Sequence, residues 1–491
     1  MANLPERMAG MSRLKAKFER VPVFWIAGLV LICMISSLIA DWPSLSDRVD
    51  KILESFKYIL IGIFLPLLWV DGKKAKRYEK ILMFFVLMIP LSGFLYWFHF
   101  RVVTIRVVGN SYGSLGSELN EFNNSHSRIK AELVYDWSQL DTNERFRKFQ
   151  TYLTGHDEVD LIEIDDIWMN SAIDMKEGGL LPLDMFFERD MGDRNFLSAS
   201  IEMARQPGTG KLYGIPLYVN AGLIFYRKDL IGELKRPVPL SHLESSVFSA
   251  ILQAKNKGLE GIVFQSAQYE GLNCTFYELL SSVEGSIVDE SGKIRVNTPK
   301  VKYVLKRMHA MIYRSGVIPS SVLVFKEEES RRLFYSGHAV VLRNWPYVLL
   351  KWKDSFPVSR EDVGITYWPA PVLGAWYLGI TKNSEHPRET WEVIRFMTRS
   401  STLYARATHP DVSRRRLPPD MNLFPTLAMQ YDFLPSVEKA LSLAKPRPRI
   451  KDYQSLSDLL SKAIYFILAD QAMTEEGIDT LLDGLQEEFD R

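Results

Sequence analysis

Cysteine is scarce in this chain of 491 residues: Cys33 lies in an apolar segment and Cys274 far along the chain. No disulfide framework is readable from such a pair, which says little about redox compartment. Net charge is almost absent too. The 60 basic and 59 acidic residues leave +1 at pH 7, so no bulk field draws the chain to nucleic acid. No histidine sits in a motif comparable to that of Cys274, which reads as a small packed residue rather than a nucleophile. The pattern asks for no metal and no cofactor. A single core is excluded by length, and two or three domains are expected.

Long apolar runs are present, but only before residue 101. Val21 to Ala40 is nearly uncharged, and about 20 helical residues span a hydrocarbon layer of roughly 30 Å. Ile81 to Phe98 is a second such run, and Tyr58 to Val70 reaches spanning length only if joined by Ile52 to Lys57. Arg7, Arg13, Lys15, Lys17 and Arg20 precede the first run, and Lys73, Lys74, Lys76, Arg77 and Lys80 precede the third. Both basic clusters are cytoplasmic by the positive-inside rule, which requires the middle run to cross. A membrane region at 1–101 with three crossings leaves the rest of the chain outside the cell membrane. Were the middle run only interfacial, the large domain would be cytoplasmic.

From residue 102 onward, strand and helix patterns alternate. Val102 to Val108 and Ala131 to Tyr135 read as buried strands flanking a polar helix around Glu118 to Asn124. Asp141 to Glu144 can cap the next helix, which carries Arg145, a solvated residue or a ligand contact. Asp160 to Trp168 (DLIEIDDIW) is a strand ending in carboxylates and an aromatic, at the end of an open α/β sheet where ligands sit. Glu163, Asp165 and Asp166 raise a glycosidase reading, which alternation disfavours because Asp165 and Asp166 point to opposite faces. Asp166 also suits a helix N-cap. Gly210 to Leu230 (GKLYGIPLYVNAGLIFYRKDL) holds two apolar segments with Tyr218 and Asn220 between them. Pro216 argues that the backbone leaves one sheet there for another, so the two polar residues are either buried turn residues or face a cleft between lobes. Thr298-Pro299 opens a helix with Val301, Leu305, Met308 and Ile312 on its core face.

GKLYGIPLYVNAGLIFYRKDL resembles the crossover of bacterial extracellular solute-binding proteins of the maltose/trehalose-binding group, the receptors of ABC-type sugar importers. Similar stretches of that group recur at Asp160 to Trp168, at Gln268 to Cys274 (QYEGLNC), at Arg343 to Tyr347 (RNWPY) and at Leu373 to Ile380 (LGAWYLGI). The resemblance runs from Val102 to the C-terminus, where Lys445-Pro446-Arg447-Pro448-Arg449 and two amphipathic helices complete it, and it leaves out the membrane region. It implies an α/β, two-lobed periplasmic-binding-protein-like (type II) fold over 102–491. Lobe 1 would hold about 102–217 and 338–378, and lobe 2 about 218–337 and 379–491.

The resemblance also implies a site. Tyr218, Trp345 and Trp376 would be stacking faces for sugar rings, whose C–H surfaces pack on aromatics while hydroxyls bond at the rim. Asp165, Asn220 and Arg145 would be hydroxyl partners. Gly374 and Ala375 would let backbone approach the ligand, Glu270 would be a ligand contact or a helix cap, and Arg414 would either reach back to the site or belong to a solvated basic loop, since the group's Pro-Gly is absent there. Two departures stand out: Asn220 replaces an Asp, and no acidic residue lies among Gly109 to Gly116, where the group has one. The function implied is a receptor in the cell (inner) membrane, with its large domain extracytoplasmic, that closes on a small carbohydrate and is read by transporter permease subunits. Three spans exceed what tethering needs, so a sensor that relays closure to a signalling partner is the alternative.

Overall fold

A computed structural model describes residues 102–490, apart from 111–114, 156–157, 176–177 and 235–244. The apolar runs expected to span a membrane lie outside the described residues. Among the described residues, no helix is long and apolar enough to cross a membrane.

Among the described residues, nine strands form two sheets. The first contains β1 (Val103–Gly109), β2 (Ile129–Asp136), β3 (Leu161–Asp165), β4 (Ile215–Ala221) and β9 (Leu373–Ile380), in the order β2-β1-β3-β9-β4. The second contains β5 (Leu223–Arg227), β6 (Glu260–Val263), β7 (Ala339–Asn344) and β8 (Val363–Thr366), in the order β6-β7-β5-β8. Pairing is parallel among β1, β2 and β3 and antiparallel wherever β9 joins. The antiparallel strand is the one that returns from the second lobe.

The longer helices are α1 (Leu115–Ser125), α2 (Thr142–Thr154), α3 (Asp184–Met191), α4 (Ser245–Lys255), α5 (Glu270–Ser281) and α6 (Pro299–Tyr313). They continue with α7 (Glu327–Tyr335), α8 (Pro387–Thr398), α9 (Ser400–Ala407), α10 (Leu434–Leu443), α11 (Tyr453–Ala469) and α12 (Glu475–Phe489). Local chemistry sets several boundaries. Asp141 accepts from Glu144 N–H while Glu144 reaches back to Asp141 N–H, a capping box that starts α2. Thr298 caps α6 with Pro299 in its first turn, and Val301, Leu305, Met308 and Ile312 are all buried. α1 and α8 pack on the first sheet and α7 on β7, while α5, α6, α11 and α12 pack together. The last two helices therefore belong to the second lobe.

Strand pairing moves two boundaries drawn from the sequence. Residues 339–366 stay in the second sheet, so the chain returns to the first not at 338 but just before Leu373, and α8 packs with the first lobe rather than the second. The first crossover is also displaced. Pro216 sits inside β4, beside a register shift, and Tyr218 and Asn220 continue that strand. β4 is an edge strand, where a residue without an N–H is tolerated at a bulge. Gly222 makes the change of sheet instead, and a Cβ there would lie 1.6 Å from a Glu278 carboxylate oxygen.

That carboxylate organises the crossing between the sheets. Glu278 Oε1 accepts from Val372 N–H at 3.1 Å, and both its oxygens meet Arg343, at 2.7 and 2.8 Å. The pair is almost wholly buried, at 1% and 0% side-chain exposure. Gly222 N–H bonds to Val372 C=O, Lys445 N–H to Pro371 C=O and Leu373 N–H to Lys445 C=O, tying the three crossovers to one another. Removing one partner of a buried ion pair strands the other charge, which costs about 3–5 kcal/mol. Arg343→Met is expected to lose stability of that order in urea unfolding, while a surface change such as Met185→Ala, at an 83% exposed residue, leaves the midpoint in place.

Candidate functional site

Register places three of the expected residues side by side. Trp376 on β9 is opposite Asp165 on β3 and opposite Tyr218 on β4, so one row crosses three strands of the first lobe. The rings of Tyr218 and Trp376 are stacked, 6.1 Å apart at 21°. Trp168 meets Trp376 edge-on at 5.7 Å. In the next row, Asn220 pairs with Gly374. Ala375 alternates to the other face and is fully buried, so it offers the cleft no side chain.

The second lobe supplies Trp345, just beyond β7. A Cβ on Gly374 would lie 3.3 Å from its ring, so the glycine leaves room for an indole from the opposite lobe. Arg343 stacks its guanidinium on the same ring at 4.4 Å. Arg145 lies 5.5 Å from the Trp376 ring centre and donates to the carbonyls of Trp137 and Ser138, both at 3.1 Å. The backbone thus aims it at the row. Arg414 does not join: it is half-buried and paired with Asp411 at 3.4 Å. Arg416, two residues on, holds its guanidinium 5.9 Å from the Tyr218 ring.

Asp165 and Glu270 have a partner that the sequence did not disclose. Arg447 donates through Nη2 to Asp165 at 3.0 Å and to Asp166, and through Nη1 to Glu270 at 2.9 Å. Glu270 also accepts from the Tyr453 hydroxyl at 2.8 Å, from Asn273 and from Ser457. The carboxylates expected to meet sugar hydroxyls therefore hold a junction between the lobes. Asp165, not Asp166, caps the turn, accepting from Ile167 N–H. Alternation had set Asp165 and Asp166 on opposite faces, but the chain leaves the strand at Asp166 in a 3-10 turn, and both carboxylates swing to one guanidinium. Burial opposes the charge on Arg447, yet Asp166 and Asp165 keep its pKa well above the usual arginine range. Burial holds the Asp166 carboxyl well above its usual range despite that arginine. Cys274 is buried beside the junction, as a packed residue.

Further contacts join the lobes around the opening. Lys326, ahead of α7, bonds Asp141, ahead of α2, at 2.9 Å, and Asn143 bonds Asp458 of α11 at 2.7 Å. Beneath the row, Glu163 on β3 accepts from Asn110 N–H at 2.5 Å and from the Tyr218 hydroxyl at 3.2 Å. A pocket bounded by Asn110, Glu163, Tyr218, Arg406 and Arg416 has free room for about one water molecule. Arg406 is itself committed, to Glu118 at 2.6 and 2.8 Å.

Residues 109–402 match the bacterial extracellular solute-binding protein family. The chain belongs to that family. Its members are binding proteins, not enzymes, and the glycosidase reading falls with that assignment. A Deinococcus radiodurans protein named "Probable ABC transporter-binding protein" is 30% identical over 298 residues, which cover 55% of this solute-binding protein and 68% of the relative. A Brucella abortus binding protein is 25% identical over 54% of this chain and 63% of its own length. Among solved structures, T. maritima MalE3 with bound maltose superposes with a TM-score of 0.68 at 27% identity, covering 79% of this chain and 100% of MalE3. An Agrobacterium radiobacter ABC transporter solute-binding protein in complex with ribitol gives 0.67 at 20% identity, over 79% of this chain and 98% of its own, and supports the two-lobed α/β fold alone.

Of the groups missed from sequence, Arg447 had a signal in its flanking prolines, which fix the direction in which its side chain leaves the backbone. From the sequence alone, Glu163 reads only as a candidate acid or base. Burial pushes its pKa up from 4.5 to about 7, against the pull of Arg145 and of the Asn110 and Tyr218 hydrogen bonds. The folded state then binds a proton that the unfolded chain has released, so this residue's contribution to stability falls as pH rises from about 4.5 to about 7. Glu163→Gln removes the titration. Relative to wild type, the variant is expected to gain on the order of 3 kcal/mol in urea unfolding between pH 4.5 and pH 8. Parallel pH profiles for the two proteins would contradict the assignment.

Proposed function

We propose that this protein is the receptor of an ABC-type importer and binds a small carbohydrate in the gap between its lobes. The single observation that carries this reading is the row Asp165–Trp376–Tyr218, faced across the hinge by Trp345. Stacked aromatic faces with polar groups at their edges suit sugar rings, whose apolar and polar surfaces alternate in the same way. Maltose in MalE3 makes a polyhydroxy solute the natural class, and the name of the Deinococcus relative supports an ABC transporter.

In this reading Trp376, Tyr218 and Trp345 are the stacking faces, while Asn220 and Arg145 are polar partners. Asp165 and Glu270 act indirectly, by fixing Arg447 and through it the relation of the lobes. Gly222 and the crossovers hydrogen-bonded to it form the hinge about which the lobes close. The apolar runs of residues 1–101 hold the domain at the outer face of the cell membrane, so that the closed receptor meets its permease without diffusing.

Titration calorimetry of the full chain against mono-, di- and oligosaccharides is expected to give saturable heat with at least one. Trp376→Ala is expected to weaken that binding by about 2–4 kcal/mol, the cost of losing a central aromatic anchor. No heat from any sugar while circular dichroism shows a folded domain would end the carbohydrate reading.

A further inference from the structure

The aromatic faces that would hold a sugar ring each carry a guanidinium: Arg145 at 5.5 Å from Trp376, Arg416 at 5.9 Å from Tyr218 and Arg343 at 4.4 Å from Trp345. Arg343 is neutralised by Glu278. Arg145 and Arg416 flank Tyr218 closely enough that both favour ionisation of its hydroxyl, although burial dominates and holds it protonated. From the other lobe, Lys351 approaches the same corner. Burial, with the nearby charges of Arg416 and Arg331, lowers its pKa to about 8 against the attraction of Glu328. Glu328 is itself bonded by Arg331 and Tyr347.

The acceptors tell the complementary story. Every hydroxyl proton of a neutral sugar needs an acceptor, and ionised carboxylates serve best. Here Asp165 is committed to Arg447, and Glu163 is engaged by Asn110 and Tyr218 and titrates near neutrality. Asn220 carries no charge, and Gly109 to Gly116 after β1 contain no acid. Arginine and lysine are donors only, and although Arg416 also gives Nη1 to the Ser413 and Arg415 carbonyls, the wall holds more donors than groups to receive a hydroxyl proton.

We infer that the solute is an acidic carbohydrate, whose carboxylate or phosphate is held by Arg145 and Arg416 while its ring stacks on Trp376 and Tyr218. This rests on the receptor reading and narrows its ligand. A bound anion meets donors without leaving a hydroxyl proton unsatisfied, and it relieves the repulsion between Arg416 and Lys351 as the lobes close.

The test is calorimetry on the full chain with D-glucuronate and D-glucose 6-phosphate against D-glucose, and a diuronate against maltose. At least one acidic sugar is expected to bind about tenfold or more tightly than its neutral counterpart. Its advantage is expected to shrink between about 50 and 500 mM salt, and the comparison of uronate with phosphate identifies the anion. In Arg145→Gln and Arg416→Gln the acid-to-neutral ratio is expected to fall toward one. Neutral sugars binding as tightly as the acidic ones would overturn this inference and leave the receptor reading standing. A preference that survives in both folded variants would overturn it too, and if either variant fails to fold, the salt dependence of the wild type decides. Failure of every sugar to bind would overturn the receptor reading itself, and this inference with it.

Discussion

One arginine, Arg447, joins three carboxylates drawn from both lobes. Asp165 ends the central strand of the first, Asp166 opens the turn after it, and Glu270 opens a helix of the second. Burying charges costs several kcal/mol for each ion, which only good geometry and further hydrogen bonds offset. Pro446 and Pro448 restrict the backbone on both sides of the arginine, while Tyr453, Asn273 and Ser457 hold Glu270. A shift of either lobe would strand at least one of these charges. The network therefore specifies one relation between the sheets, whatever its net contribution to stability.

From that fixed relation the cleft follows. Lys445, two residues before the arginine, hydrogen-bonds the returning crossover at Pro371 and Leu373, and β9 begins there. β9 lies between β3 and β4, so its Trp376 shares a row with residues from both. Two glycines make the crossing possible for different reasons. Gly222 keeps a side chain out of the buried Glu278–Arg343 pair, and Gly374 leaves space for Trp345. Lys326 with Asp141 and Asn143 with Asp458 bring the outer edges together.

Much of this was legible in the chain because it is local. Alternating apolar strands, the capping sequence at Asp141 and the Thr298-Pro299 start each depend on neighbours within a few residues, and the structure shows them where the pattern put them. The motifs shared with solute-binding proteins marked Tyr218, Trp345 and Trp376, and register brings the first and last together. What failed was long-range or depended on leaving regular structure. Asp165 and Arg447 are 282 residues apart, and nothing in either neighbourhood names the other. Opposite faces for Asp165 and Asp166 require the strand to continue, and the turn at Asp166 ends it. Pro216 looked like a break because proline is rare in central strands, but β4 lies at an edge. Arg414 was placed by motif, yet Arg416 reaches the row.

The claim on which this account turns is that Arg447 binds one lobe to the other. Scanning calorimetry of Arg447→Met in the full chain tests it most directly. With three buried carboxylates left without their cation, the account predicts that the unfolding of the two-lobed domain shifts down by about 4–6 °C or splits into separate lobe transitions. A single transition within about a degree of the wild type would show that the lobes are held by something else.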